Sequence, residues 1–272
     1  MEYFGKYIDY LIYTLYNIQK AEEIHMENIQ RNDDITELEN QMYVGEEKSK
    51  AITHKDLSLK RLDESFNKHI ELLEYKKSHL LAYWVNDFAN YHDEERTFSP
   101  KNLKIFKRGD IVKVNLGFNV GKEMGGLHYC VVVNKFDNKN SGTLNVIPLS
   151  SSKENKIYNS KTCIDLGDEL YNLLENKFNF EFNNTTLKLI NLDRLPMEER
   201  VKELNVLSKK SAYLGKIKDE INKMKHGSIA YVNQFTTISK QRIFKTPILS
   251  GIKLSNKSLD LLDNKIKLLF TK

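Results

Sequence analysis

Apolar residues recur at two different periods along the chain, and the change of period falls near residue 100. Before it, Phe4, Ile8, Leu11, Leu15 and Ile18 return at helical spacing, with Tyr3, Tyr7, Tyr10 and Tyr13 on a neighbouring stripe. This predicts one amphipathic helix over residues 2–30, then a polar connection and a shorter helix from Ile35 to Met42. A longer helix is expected from Thr53, where Thr53 and Asp56 form a capping-box pattern. Its apolar face carries Leu62, Phe66, Ile70, Leu73, Leu80, Trp84, Phe88 and Tyr91. Steps of three, four and seven predict a coiled-coil-like seam, and about 40 helical residues would span roughly 60 Å. A stripe that long needs a partner: the first helix, another copy, or the rest of the chain. Ser99-Pro100 stops it, and 101–107 forms a basic linker.

From Arg108 the period shortens. Ile111, Val112, Val114 and Leu116 predict a strand, and a glycine-rich loop follows from Gly117 to Leu127. Tyr129-Cys130-Val131-Val132-Val133 is a β-branched run suited to a strand buried on both faces. Leu144 to Leu149 predicts a third strand that delivers Ser150 and Ser151 at its end. Further strands are expected at 163–166 and 185–190, with mixed helix-like and turn-like signals between them. Pro196 with Glu198 and Glu199 opens a helix whose stripe runs through Leu204, Leu207, Leu214, Ile217, Ile221 and Met224. A closing strand from Ser228 and a final amphipathic helix through Leu259, Leu262, Ile266 and Leu269 complete the reading.

Charge adds a division that hydropathy does not show. The net charge is +5, yet residues 1–100 hold 12 Lys+Arg against 20 Asp+Glu, while 101–272 hold 30 against 17. The strand-bearing half is the basic half, which makes a polyanion such as nucleic acid the leading partner class. No run is long and apolar enough to span a bilayer, and Tyr7 to Ile18 lacks a basic start and a cleavage site, so a cytoplasmic protein without a membrane partner is expected. Cys130 and Cys163 show neither metal nor redox spacing and read as small core hydrophobes. With no P-loop, zinc spacing or paired carboxylates, neither cofactor nor metal is expected.

The segment Arg108-Gly109-Asp110-Ile111-Val112, the loop Gly121-Lys122-Glu123-Met124-Gly125-Gly126, His128, the valine run and Pro148-Leu149-Ser150 together resemble the PemK/MazF family of toxin endoribonucleases. Residues from Ser228 to Ile243 resemble that family's closing strand and short helix, in the right order. The resemblance implies an α+β chain: an α-helical N-terminal region over 1–100, then an SH3-like β-barrel over 101–272 with a helical insertion at about 155–226. It also implies a type II toxin that cuts single-stranded RNA sequence-specifically, without metal, by 2′-hydroxyl attack. The implied partners are a second copy of the chain, single-stranded RNA and a cognate antitoxin.

Cleaving RNA without metal requires a base, an acid and donors for the phosphorus centre. An imidazole titrates at about 6.5 and serves either proton role, so His128 is the first candidate. The family usually places an arginine there, and the change to histidine is not conservative. Ser150 matches a threonine position of the family site. The positive charge for phosphate falls to Lys122, Lys135 or Lys153, which the sequence does not rank. Gly125 and Gly126 would let loop amides approach a phosphate, or serve a tight turn; Glu123 would orient His128 or solubilise the loop. His226 reads as a helix C-terminal cap. A rival function from another class stays open: a non-catalytic barrel that binds RNA or a protein target such as gyrase.

Overall fold

The computed structural model describes residues 20, 43–154, 156–224, 227–244 and 249–271. The expected helices over 2–30 and 35–42 lie almost wholly outside them. The chain divides into two compact units, Met1–Ser78 and His79–Lys272.

In the first unit a helix, α1, runs through 43–71. Thr53 is therefore not a helix start: its Oγ1 donates back to the Ser49 carbonyl at 3.0 Å, inside the helix. Nor is the predicted 40-residue helix continuous. It breaks at Leu73, which takes φ +59°, and the turn is held by Glu74 N on the His69 carbonyl (2.8 Å) and by His69 Nδ1 against Glu74 Oε2 (2.7 Å). The imidazole partner lowers the Glu74 carboxyl below its usual range. The next helix, α2, is Tyr75–Glu95.

The second unit is mixed α and β. Its strands are β1 (Ile111–Asn115), β2 (Leu127–Val132), β3 (Thr143–Ser151), β4 (Cys163–Asp165), β5 (Ser228–Tyr231) and β6 (Thr236–Ser239). Among the described residues these strands pair antiparallel, in the order β1-β2-β3-β5-β4, with β6 also on β3. β3 is the hub. Its first half pairs with β6 and its last three residues with β5, end to end along one edge, while β2 holds the other. Among the described residues the sheet does not close into a barrel. β6 runs into a 3-10 turn, Lys240–Arg242, after which the chain meets β1 at the isolated pair Val114 with Ile243, at Arg242 Nε on the Asn115 carbonyl (2.8 Å) and at the Ile252 carbonyl, which accepts from Ile111 N (3.1 Å).

Alternation along the strands sorts two cores. Ile111, Val131, Val133, Ile147 and Leu149 face one way, beneath α3 (Glu169–Ile190), α4 (Met197–Lys223) and α5 (Asn256–Phe270); Leu174, Ile217, Ile221 and Leu262 cover them. Val112, Val114, Cys130, Val132, Leu144 and Val146 face the other way, with Phe106 and Ile238. The valine run is thus buried on both faces, and the Cys130 thiol is pushed up to about 12 by that burial.

Residues 185–190 are not a strand but the last turns of α3. The β-branched pair that suggests a strand bonds backward: Thr185 Oγ1 to the Glu181 carbonyl (2.7 Å) and Thr186 Oγ1 to that of Phe182 (3.0 Å). Leu170 and Leu174, one helical turn apart, fix the buried face. The part of α2 from His79 lies on the sheet unit. Trp84 stacks under Arg242 (5.3 Å), Asp87 accepts from Asn115 Nδ2 (2.8 Å), and the Tyr91 carbonyl accepts from Gln241 Nε2 (2.6 Å). The apolar stripe predicted there does find a partner, at least for this portion.

Candidate functional site

The glycine-rich loop sets the foot of β2. Leu116 N donates to the Gly126 carbonyl (2.8 Å) and Gly126 N to that of Gly117 (2.6 Å), so the two ends of the loop are stapled together. Gly117 is required twice over: its φ is +89°, and a Cβ would stand 2.9 Å from the Trp84 ring. A Cβ on Gly125 would stand 2.6 Å from the Gly117 oxygen. The loop is further tied by Asn119 Nδ2 to the Met124 carbonyl (2.7 Å) and by Met124 N to Gln234 Oε1 (3.2 Å).

Two residues past this staple stands His128. The β2–β3 register pairs Cys130 with Pro148, and continuing it by two residues sets His128 across from Ser150. Both line one cavity of about 450 Å³ together with Lys113, Tyr129, Ser151, Lys153 and Glu220. His128 Nδ1 lies 3.0 Å from the Leu149 carbonyl oxygen. A carbonyl only accepts, so Nδ1 carries the hydrogen, and Nε2 is left as the nitrogen that can gain or lose a proton. Lys153 is exposed at the mouth, with its backbone N–H on the Tyr158 hydroxyl (2.8 Å).

The other candidates lie elsewhere. Glu123, Gly125 and Gly126 line a neighbouring cavity of about 380 Å³ with Trp84, Asp87 and Asn115, which adjoins the first at Leu127. Lys122 is exposed on the loop, and its carbonyl accepts from Gln234 Nε2 (3.4 Å). Lys135 is exposed beyond the far end of β2. His226 lies outside the described residues.

Three residues in the His128 cavity carry no distinctive sequence signal as a set. Lys113 on β1 and Tyr129 on β2 are register partners, and both donate to Oε1 of Glu220 on α4. Burial, reinforced by the Glu220 carboxylate, raises the Tyr129 phenol far above its ordinary value, so it is a donor at any physiological pH. A lysine between Val112 and Val114 is a readable anomaly. Its carboxylate partner, 107 residues later, is not. Among the described residues no cluster of three His, Cys, Asp or Glu side chains is placed to hold a metal ion, and no helix is long and apolar enough to cross a membrane.

Residues 107–173 match the family described as PemK-like, MazF-like toxin of type II toxin–antitoxin system. The match spans β1 to the start of α3 and includes His128, Ser150 and Lys153, while α4 lies outside it. No curated protein matches the chain.

Proposed function

From the PemK/MazF-type toxin domain that the chain carries over residues 107–173, we propose that it is the toxin of a type II toxin–antitoxin pair and an endoribonuclease. The substrate is single-stranded RNA, cut at a preferred sequence without a metal ion. The sheet is then an open relative of this family's SH3-like barrel, carrying the 155–226 segment as a helical insertion. Of the expected helical region over 1–100, the part before His79 acts as a coiled-coil-like appendage. The protein works in the cytoplasm as a homodimer that a cognate antitoxin occludes.

One observation carries the reading: His128 and Ser150 line one cavity, with the histidine's Nδ1 already committed to the Leu149 carbonyl. The free Nε2 takes the 2′-hydroxyl proton, and the 2′-oxygen attacks phosphorus. The bond to the 5′-oxygen breaks, and Nε2 passes the proton it took to that oxygen as it leaves, which returns the imidazole to its starting form. Ser150 donates to a non-bridging phosphate oxygen, and Lys153 supplies positive charge at the mouth. The products are a 2′,3′-cyclic phosphate and a 5′-hydroxyl. Positive charge in residues 101–272 gathers the RNA.

The test is single-turnover cleavage of one defined RNA in chelator. Wild type cuts, an RNA with 2′-deoxy at the cut position resists, and His128→Ala lowers the rate by about two to four orders of magnitude with little change in affinity. His128→Arg restores charge but not proton exchange and does not rescue. Wild-type rates in His128→Ala, or cutting only with added magnesium, overturn the reading.

A further inference from the structure

The Lys113–Tyr129–Glu220 group deepens that reading and rests on it. An ammonium and a phenol from neighbouring strands converge on a single carboxylate oxygen, with Lys113 Nζ also 5.4 Å from the Tyr129 ring centre. Lys113 and Glu220 are 20% and 14% exposed, half-withdrawn from water, so each group gains from the other far more than a surface pair would. All three line the cavity that holds His128 and Ser150.

Two donors converging on an oxyanion make a pocket for any oxyanion of that size. A phosphodiester spreads one negative charge over two acceptor oxygens, as the Glu220 carboxylate does, and lysine and tyrosine donate to both. The carboxylate comes from α4, outside the residues that match the toxin family, while both donors come from strands inside them. α4 is itself anchored: Ile217 and Ile221 are buried in the core above the sheet. The pocket can therefore be emptied by rotation of the Glu220 side chain about its own torsions, with the helix left in place.

We propose that Lys113 and Tyr129 form a phosphate-binding subsite of the RNA groove, and that Glu220 on the inserted helix occupies it in the free protein as a built-in competitor. An RNA phosphate must displace the carboxylate, and the displaced carboxylate then repels it. The insertion thereby sets a threshold of RNA affinity below which the chain does not engage.

The test uses the full chain with Glu220→Ala, Glu220→Gln and Glu220→Ala combined with Lys113→Met. The probe is a fluorescent single-stranded oligonucleotide with 2′-O-methyl groups, which binds but is not cut. Affinity is read by anisotropy, cleavage on the unmodified RNA, and exposure of Lys113 by acylation and mass spectrometry. Glu220→Ala is expected to raise Lys113 acylation severalfold, to tighten binding by about tenfold and to speed cleavage in step at subsaturating RNA. Glu220→Gln gives a smaller gain, and Lys113→Met cancels it. If acylation rises but affinity does not, while wild type still binds and cuts RNA, the subsite is refuted and the nuclease reading stands. If affinity holds and cleavage drops tenfold or more, Glu220 belongs to the chemistry and is no competitor. If no version binds or cuts RNA although acylation changes, the nuclease reading falls and the subsite with it.

Discussion

Two lysine–carboxylate pairs stand on the sheet unit in opposite circumstances. Lys240 and Asp137 are both 1% exposed and 2.7 Å apart. Asp137 also accepts from Phe106 N (2.8 Å), Lys240 also donates to the Asn138 carbonyl (3.3 Å), and the ammonium lies over the Phe106 ring. Every polar group there is spoken for, and the pair locks the 3-10 turn after β6 to the connection between β2 and β3. Lys113 and Glu220 have the same chemistry but sit on the wall of an open cavity. The difference is water. Where none can enter, a charge pair is a fixed part of the fold; where a solute can enter, the same pair is an occupied binding site.

The largest expected effect breaks the sealed pair. Asp137→Ala strands the Lys240 ammonium without its counter-charge and should cost about 3–5 kcal/mol of stability, read as a fall in the urea midpoint at constant slope. A loss under about 1 kcal/mol, the range of exposed pairs, would mean that water reaches Lys240 and would dissolve the contrast. Alkaline pH strains β2, which carries the rim pair's phenol and a buried thiol beside it. Tyr129 and Cys130 hold their protons in the fold beyond their ordinary values, Cys130 to about 12, whereas in the unfolded chain they release them near 9–10. The folded state then binds more protons, so stability is intact below about pH 9 and falls as pH rises toward 12. A flat stability profile over that range, by urea titration at each pH, would contradict the burial of both groups.

Smaller still is Glu220→Gln, which leaves an acceptor for Lys113 and Tyr129 and removes only the charge. It should cost about 1 kcal/mol, and a loss of 3 or more would make the rim pair as structural as the sealed one. Salt gives the finest discrimination. At 1 M, where screening acts over about 3 Å, Lys113 should become modestly more reactive to acylation while Lys240 stays protected. Equal response of the two lysines would erase the distinction.

Much of the sheet was legible because strand patterning is local. Ile111 to Leu116, the valine run and Leu144 to Leu149 carry their own alternation and appear as β1, β2 and β3. The juxtaposition of His128 and Ser150 was readable only through family resemblance, since neither residue states its register. What sequence hid was set by distant contacts. Thr185 and Thr186 read as strand because their hydroxyl bonds to Glu181 and Phe182 exist only once the helix has formed. The break at Leu73 interrupts an unbroken stripe of helix formers, and Glu220 reaches Lys113 across more than a hundred residues.

The hub position of β3 sets the order of events during synthesis. β3 leaves the ribosome with β1 and β2 already made, but the strands that cover its second edge, β5 and β6, follow only after the whole α3–α4 insertion. At translation speeds of about 5–20 residues per second, that edge stays bare for seconds, with its amides and carbonyls open to other chains. A nascent copy therefore has no finished sheet until β5 and β6 have followed the insertion. For a chain read as a poison, the cell that makes it is given that interval before the first active molecule exists.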